Sequence, residues 1–150
     1  MNVITIRQAS VADVALVAPL FNAYRQFYGK PDDLRLAEQF LRERLQNGES
    51  TVLLALDTDG NAAGFTQLYP SFSSVSARRI YILNDLFVAP FARRASVGRH
   101  LLEAAAAFGR EQGVPRLSLS TARINSTAQA LYASAGWVRD DQYFSYSLEL

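Results

Sequence analysis

The sequence predicts an α/β fold: one domain over residues 1–150, with a mixed central β-sheet flanked by helices. Three observations point there. Two segments of helical spacing come early and are followed by an apolar hairpin, so strands and helices do not simply alternate. Residues 80–88 and 116–121 are both strand-like, and the segment between them is helical without a hairpin turn, which implies a right-handed crossover and parallel pairing. The chain then ends on a strict apolar–polar alternation over residues 142–150.

Each element has a local reason. Residues 3–7 (VITIR) read as a first strand, and Ser10 with Asp13 three residues on resembles a helix-capping start. Val14, Val17, Phe21 and Tyr24 then recur at helical spacing, while Pro19 removes a backbone donor and should kink this helix near its middle. Residues 29–33 (GKPDD) form a turn, and Leu34, Ala37, Leu41 and Leu45 mark the buried stripe of a second helix that stops at Asn47-Gly48. Residues 50–56 (STVLLAL) and 62–69 flank the turn sequence DTDGN as a hairpin, and the serine-rich residues 70–76 read as a loop. Val97, Leu101, Ala105 and Phe108 give a helix that stops near Gly113, with Pro115 barring continuation. Residues 125–135 form the last helix, with Ala128, Leu131, Tyr132 and Ala135 on one side. In the final strand Phe144, Tyr146, Leu148 and Leu150 share one face, and this strand should close the sheet.

Composition bounds the function. A 150-residue domain buries roughly 68 to 70% of its unfolded surface, enough for an unaided core. Fifteen basic against fourteen acidic residues leave a net charge of +1, so no global field points to nucleic acid or an anionic membrane. With no cysteine there is no disulfide, thiolate metal site or thiol nucleophile, and His100, the single histidine, makes a zinc site improbable. The N-terminus lacks a signal pattern and no apolar run reaches about 18 residues, so the expectation is a cytoplasmic protein.

The informative stretch is residues 84–102, NDLFVAPFARRASVGRHLL. A strand ends at Ala89-Pro90, a loop with paired arginines follows, and a helix begins near Val97. From Leu86 to Leu102 there is no carboxylate, while Arg93, Arg94, Arg99 and His100 gather at the helix start. Unpaired amides and the positive end of the helix dipole favour an anion there, by about 0.3 to 1 kcal/mol for the dipole alone. Amides and arginines acting together could hold a diphosphate.

Here the chain resembles the GNAT superfamily of N-acetyltransferases. Arg93 and Gly98 match the outer positions of that family's acetyl-CoA signature, while Ser96 stands where a glycine is usual. The resemblance continues through Asn125, Tyr132 and Gly136 and covers most of the chain. It implies two central parallel strands that splay apart, with backbone groups of Leu86, Phe87 and Val88 receiving the pantetheine arm of acetyl-CoA. It also implies that Arg93, Arg94, Ala95, Ser96, Val97, Gly98 and Arg99 hold the diphosphate, and that Asn125 contacts the cofactor. Asn125 before Ser126-Thr127 is equally a good N-cap. Many relatives pair as dimers, which extends to an expected homodimer.

The implied reaction sets chemical demands. An alkylamine of pKa ~10.4 is neutral in only about one molecule in a thousand near pH 7.4, a deficit of ~4 kcal/mol, so a carboxylate must help remove a proton. Asn84-Asp85 lies where relatives carry such an acid. Asp85 is the candidate base and amine contact, against a purely structural hydrogen-bonding role. Asn84 can only orient water or substrate. Which of the two faces the acceptor depends on whether the strand bulges. Tyr132 occupies the position of the acid that protonates the departing thiolate, against simple core packing. A backbone amide of Phe87 or Val88 would hold the oxyanion. Tyr24, Phe27 and Tyr28 either pack the core or border the acceptor, and Asp32 and Asp33 either cap the second helix or attract a cationic amine. The resulting expectation is a metal-independent transfer of acetyl from acetyl-CoA to a small-molecule amine, polyamine or amino acid in a ternary complex. The alternatives are a protein-lysine acetyltransferase and a CoA-binding module without catalysis.

Overall fold

A computed structural model of the chain describes residues 3–93 and 95–150. These form two compact units, one running to Ser120 and one spanning Thr121–Leu150.

The first unit is a five-stranded sheet in the order β1 (Thr5–Gln8), β2 (Thr51–Leu56), β3 (Ala62–Ser73), β4 (Arg78–Val88), β5 (Leu117–Ser118). The first three pairings are antiparallel, and β4 pairs with β5 in parallel, as the strand–helix–strand pattern requires. Helices α1 (Val14–Phe27) and α2 (Leu34–Gln46) pack on one face of this sheet. There Val17, Phe21, Ala37 and Leu41 close over Val52, Leu54 and Phe65. Helix α3 (Val97–Glu111) covers the other face, where the rings of Tyr81 and Phe108 meet edge to face at 5.0 Å. Gly64 is required by this packing, since a Cβ there would lie 2.8 Å from the Phe87 carbonyl oxygen and 3.1 Å from Val97 Cγ1.

The helix starts follow the capping logic. Asp13 accepts from the Ser10 amide at 2.8 Å and from both terminal nitrogens of Arg7 at 2.8 Å. The Arg7 fork lowers the Asp13 carboxyl to about 2, with the Ser10 amide adding to the effect. Asp33 caps α2 by accepting from the Leu36 amide at 3.1 Å, whereas Asp32 accepts from Asn22 of α1 at 2.7 Å and so ties the two helices together.

Two sequence expectations are corrected here. Residues 70–73 are strand rather than loop, because β2 stops pairing at Leu68 and the missing N–H of Pro70 costs nothing on a strand with that side free. Residues 142–150, expected as a final strand, carry no strand assignment. The second unit contributes α4 (Ser126–Ser134), and no residue of Thr121–Leu150 is buried.

Candidate active site

The site is organised by one irregularity in β4. Pairing with β3 runs in register from Ser73↔Arg78 to Leu68↔Leu83, then resumes from Gln67↔Asp85 to Gly64↔Val88. Asn84 is therefore the extra residue of a β-bulge. Regular alternation would turn Leu83 and Asp85 to the same face. The bulge instead leaves Tyr81 and Leu83 toward α3 and puts Asp85 on the α1–α2 face with Phe87, whose ring meets Tyr24 at 6.4 Å. Asp85 is 3% exposed, while Asn84 is exposed.

Around the Asp85 carboxyl the donors are specific. Gln67 Nε2 donates to Oδ2 at 2.5 Å and Asn84 Nδ2 donates to Oδ1 at 3.0 Å. The Tyr24 hydroxyl donates to the Asn84 carbonyl at 3.2 Å and also bonds the Asp85 carboxyl. Thr66 Oγ1 secures the backbone by donating to the Asp85 carbonyl at 2.8 Å. Burial pushes the Asp85 carboxyl above the usual carboxylate range, outweighing the hydrogen bonds from Gln67, Asn84 and Tyr24 that pull it down. Tyr69, on the same face of β3 as Gln67, has its phenol pushed up by burial and then by the Asp85 charge. A carboxylate of raised proton affinity, beside the Tyr24 hydroxyl, is suited to accepting a proton from an ammonium.

Sequence reasoning missed Gln67 and Tyr69. The signal available was a lone amide in the apolar run 62–69, a residue that is fully buried here. Its Oε1 has no hydrogen-bond partner among the described residues. Tyr24, Asn84 and Asp85 lie together, the Tyr24 hydroxyl on the Asn84 carbonyl and the Asn84 amide on the Asp85 carboxyl. Tyr28 extends the aromatic chain from Tyr24 at 5.0 Å and Phe27 follows at 5.3 Å, both exposed, so these two form a rim rather than core.

The cofactor-side residues follow directly along β4. Strand β5 pairs only with Tyr81 and Ile82, so among the described residues β4 runs on from Leu83 to Val88 without a parallel partner strand. Leu86, Phe87 and Val88 lie half-buried on that length, where an amide-bearing chain could add to the sheet. After a 3-10 turn at Pro90–Ala92, Arg93 folds back. Its Nε donates to the Val88 carbonyl at 3.3 Å and its guanidinium sits 5.8 Å from the Phe87 ring centre. Arg94 lies outside the described residues. Ala95 leads to Ser96, whose left-handed φ of 59° aims the chain into α3, and the His100 amide closes the first helical turn on the Ser96 carbonyl at 3.0 Å. Amides of Val97, Gly98 and Arg99 fall in the turn that no helix can satisfy internally, and no acid is present there. Unpaired strand plus acid-free helix start fits a ligand with an amide arm and an anionic head.

Within the second unit, Asn125 Oδ1 accepts from the Ala128 amide at 3.1 Å, so the N-cap reading of this residue holds. Tyr132 is half-exposed, its ring 6.2 Å from that of Trp137.

Comparison with known proteins agrees with this geometry. The family model described as Acetyltransferase (GNAT) family matches residues 17–137. The uncharacterized N-acetyltransferase YhfO of Bacillus subtilis (strain 168) is 49% identical over 145 residues, covering 97% of each chain. Aminoglycoside N(6')-acetyltransferase type 1 of Klebsiella aerogenes is 31% identical over 90 residues, 59% of this chain and 59% of that one. Among solved structures, the crystal structure of a probable acetyltransferase superimposes with a TM-score of 0.92 at 42% identity, covering 97% of both chains. With its mixed sheet, the open length of β4 and a match over most of its residues, the chain belongs to the GNAT family and is an acetyl-CoA-dependent N-acetyltransferase.

Proposed function

We propose that this enzyme acetylates a primary amine of a small molecule by direct transfer within a ternary complex, with Asp85 receiving the proton that the amine must lose. The observation that carries the reading is the bulge at Asn84, which presents Asp85, buried and of raised proton affinity, to the aromatic face formed by Tyr24 and Tyr69. Acetyl-CoA supplies the activated acetyl group as a thioester. The open length of β4 at Leu86, Phe87 and Val88 receives its amide arm, and the helix start at Ala95, Ser96, Val97, Gly98 and Arg99, with Arg93 and Arg94, receives its phosphates. The bound ammonium gives one proton to Asp85, the freed lone pair forms the new C–N bond as the C–S bond breaks, the Tyr132 phenol protonates the departing sulfur, and the second proton on the acetylated nitrogen restores the Tyr132 phenol. The amide of Phe87 or Val88 faces the carbonyl oxygen during this step.

A small-molecule acceptor is supported by the relative named as an aminoglycoside N(6')-acetyltransferase. The test measures release of free CoA thiol from acetyl-CoA with a panel of aminoglycosides, polyamines, amino acids and a lysine-containing peptide. Acceleration by one small-molecule class and not by the peptide is expected. Turnover confined to the peptide would overturn the assignment.

A further inference from the structure

We infer that Gln67 is a positioning residue for the transfer, its side-chain amide holding the Asp85 carboxyl by Oδ2 in the ionised form that takes the amine's proton, a role that rests on Asp85 being the proton acceptor proposed above. Three observations lead there, all within Met1–Ser120. The first is placement. Gln67 lies on β3, the middle strand of the sheet, directly across from Asp85 in the β3–β4 register, and Val52 of β2 stands on its other side. Its backbone is paired on both flanks, so the amide it carries starts from a fixed point. The second is the contact itself. Nε2 of Gln67 donates to Oδ2 at 2.5 Å while Nδ2 of Asn84 donates to Oδ1 at 3.0 Å, so one amide holds each oxygen. Donors aimed at a carboxylate favour its charged form, and they oppose the burial that disfavours it.

The third is what the residue costs the fold. Gln67 is 0% exposed, and its Oε1 has no hydrogen-bond partner among the described residues. A buried amide satisfied at one end only is a poorer core residue than a methionine of similar size and shape. Packing therefore does not account for a glutamine here, whereas the donor it offers to Asp85 does. The titratable groups that bear on this carboxyl come from three elements: the Tyr24 hydroxyl of α1 bonds it, the Tyr69 phenol of β3 feels its charge, and Arg44 of α2 acts on Tyr69. Strand β2 contributes none.

The test titrates the Asp85 carboxyl by carbon NMR in the whole protein, its resonance identified by its loss in Asp85→Asn, with no acceptor or acetyl-CoA present. In the wild type a side-chain amide proton of Gln67 should shift with the same midpoint as that carboxyl. Gln67→Met removes the donor at similar volume and should raise the midpoint by about 1 to 2 pH units. Its melting-temperature deficit should be larger at pH 8 than at pH 4, because only the ionised carboxyl misses the donor. The acid limb of kcat/KM, read by thiol release, should move up by the same amount as the midpoint. An unmoved midpoint in Gln67→Met overturns the inference. If that variant misfolds, the wild-type titration decides, and a Gln67 amide indifferent to the ionisation of Asp85 overturns it equally. A midpoint that moves while the acid limb stays in place upholds the hold of Gln67 on the carboxyl and overturns Asp85 as the proton acceptor, so the two failures are told apart.

Discussion

Replacing Asp85 with asparagine separates what this residue does for the fold from what it does for the reaction. The folded carboxyl has its pKa raised by burial, so the protein gives up stability when it ionises. That loss is absent at low pH, where the group is protonated folded and unfolded alike, and it grows as pH rises through the folded pKa. Asp85→Asn abolishes it. An asparagine keeps the shape, and because Gln67 and Asn84 are both amides, each can turn to pair with the new side chain. The hydrogen-bond change is then no more than about 1 kcal/mol, or roughly 2 to 4 °C in a domain of this size. The variant should accordingly melt no lower than the wild type at pH 8, and its advantage should shrink toward pH 4.

Activity should move the other way. Without the carboxylate the acceptor must arrive already neutral, and for an amine of pKa ~10.4 that is about one molecule in a thousand near pH 7.4. A fall of roughly 100 to 10,000-fold in kcat/KM is expected at neutral pH. In the variant, kcat/KM should then climb about tenfold per pH unit toward the amine's own pKa, while the wild type levels off earlier. The assay is thiol release from acetyl-CoA with the best amine of the panel, paired with calorimetry across the same pH range. Full activity at pH 7, or a depressed profile that stays flat with pH, would refute a proton-accepting role. A melting temperature several degrees below wild type at pH 8 would refute the stability argument.

Other substitutions read out separate parts of the molecule. Ser96 holds a left-handed backbone at φ 59°, which costs a non-glycine residue about 1 to 2 kcal/mol, partly offset by glycine's greater freedom when unfolded. Ser96→Gly should therefore raise stability by about 0 to 1 kcal/mol in denaturant titration without weakening acetyl-CoA. A binding loss above about 2 kcal/mol by calorimetry would make the hydroxyl a ligand. Tyr132→Phe keeps the ring beside Trp137 and deletes the hydroxyl, so kcat should drop about 100-fold or more with unchanged cofactor affinity. Wild-type kcat with chemistry rate-limiting would leave Tyr132 as a packing residue. Asp13 titrates from 3.8 down to about 2 on folding, so its contribution is complete above pH 4 and disappears as pH falls through about 2. Denaturation of Asp13→Asn should show a deficit at pH 6 that closes between those limits.

What could be read from the residues divides along a physical line. Helices α1, α2 and α3 and the β2–β3 hairpin were legible because their signals are local: apolar spacing, capping residues and a DTDGN turn. Asp85 was legible as a candidate but not as a buried one, because its facing is set by the bulge, and a bulge belongs to the pairing of two strands rather than to either sequence. For the same reason Gln67 and Tyr69 escaped notice: their importance comes from lying across from Asp85, not from their neighbours in the chain. Residues 70–73 look like a loop by composition and become strand only because β2 has already ended beside them. Residues 142–150 are the opposite case, since the alternation announces a strand and none is assigned there, strand pairing not being a local property of the segment. The open length of β4 joins these arguments. The bulge turns Asp85 toward the α1–α2 face three residues beyond Ile82, the last residue of β4 that pairs with β5, so the proposed proton acceptor lies within the length of β4 that β5 leaves unpaired. On the proposed reading, an acetyl donor laid along that backbone would lie beside the carboxylate.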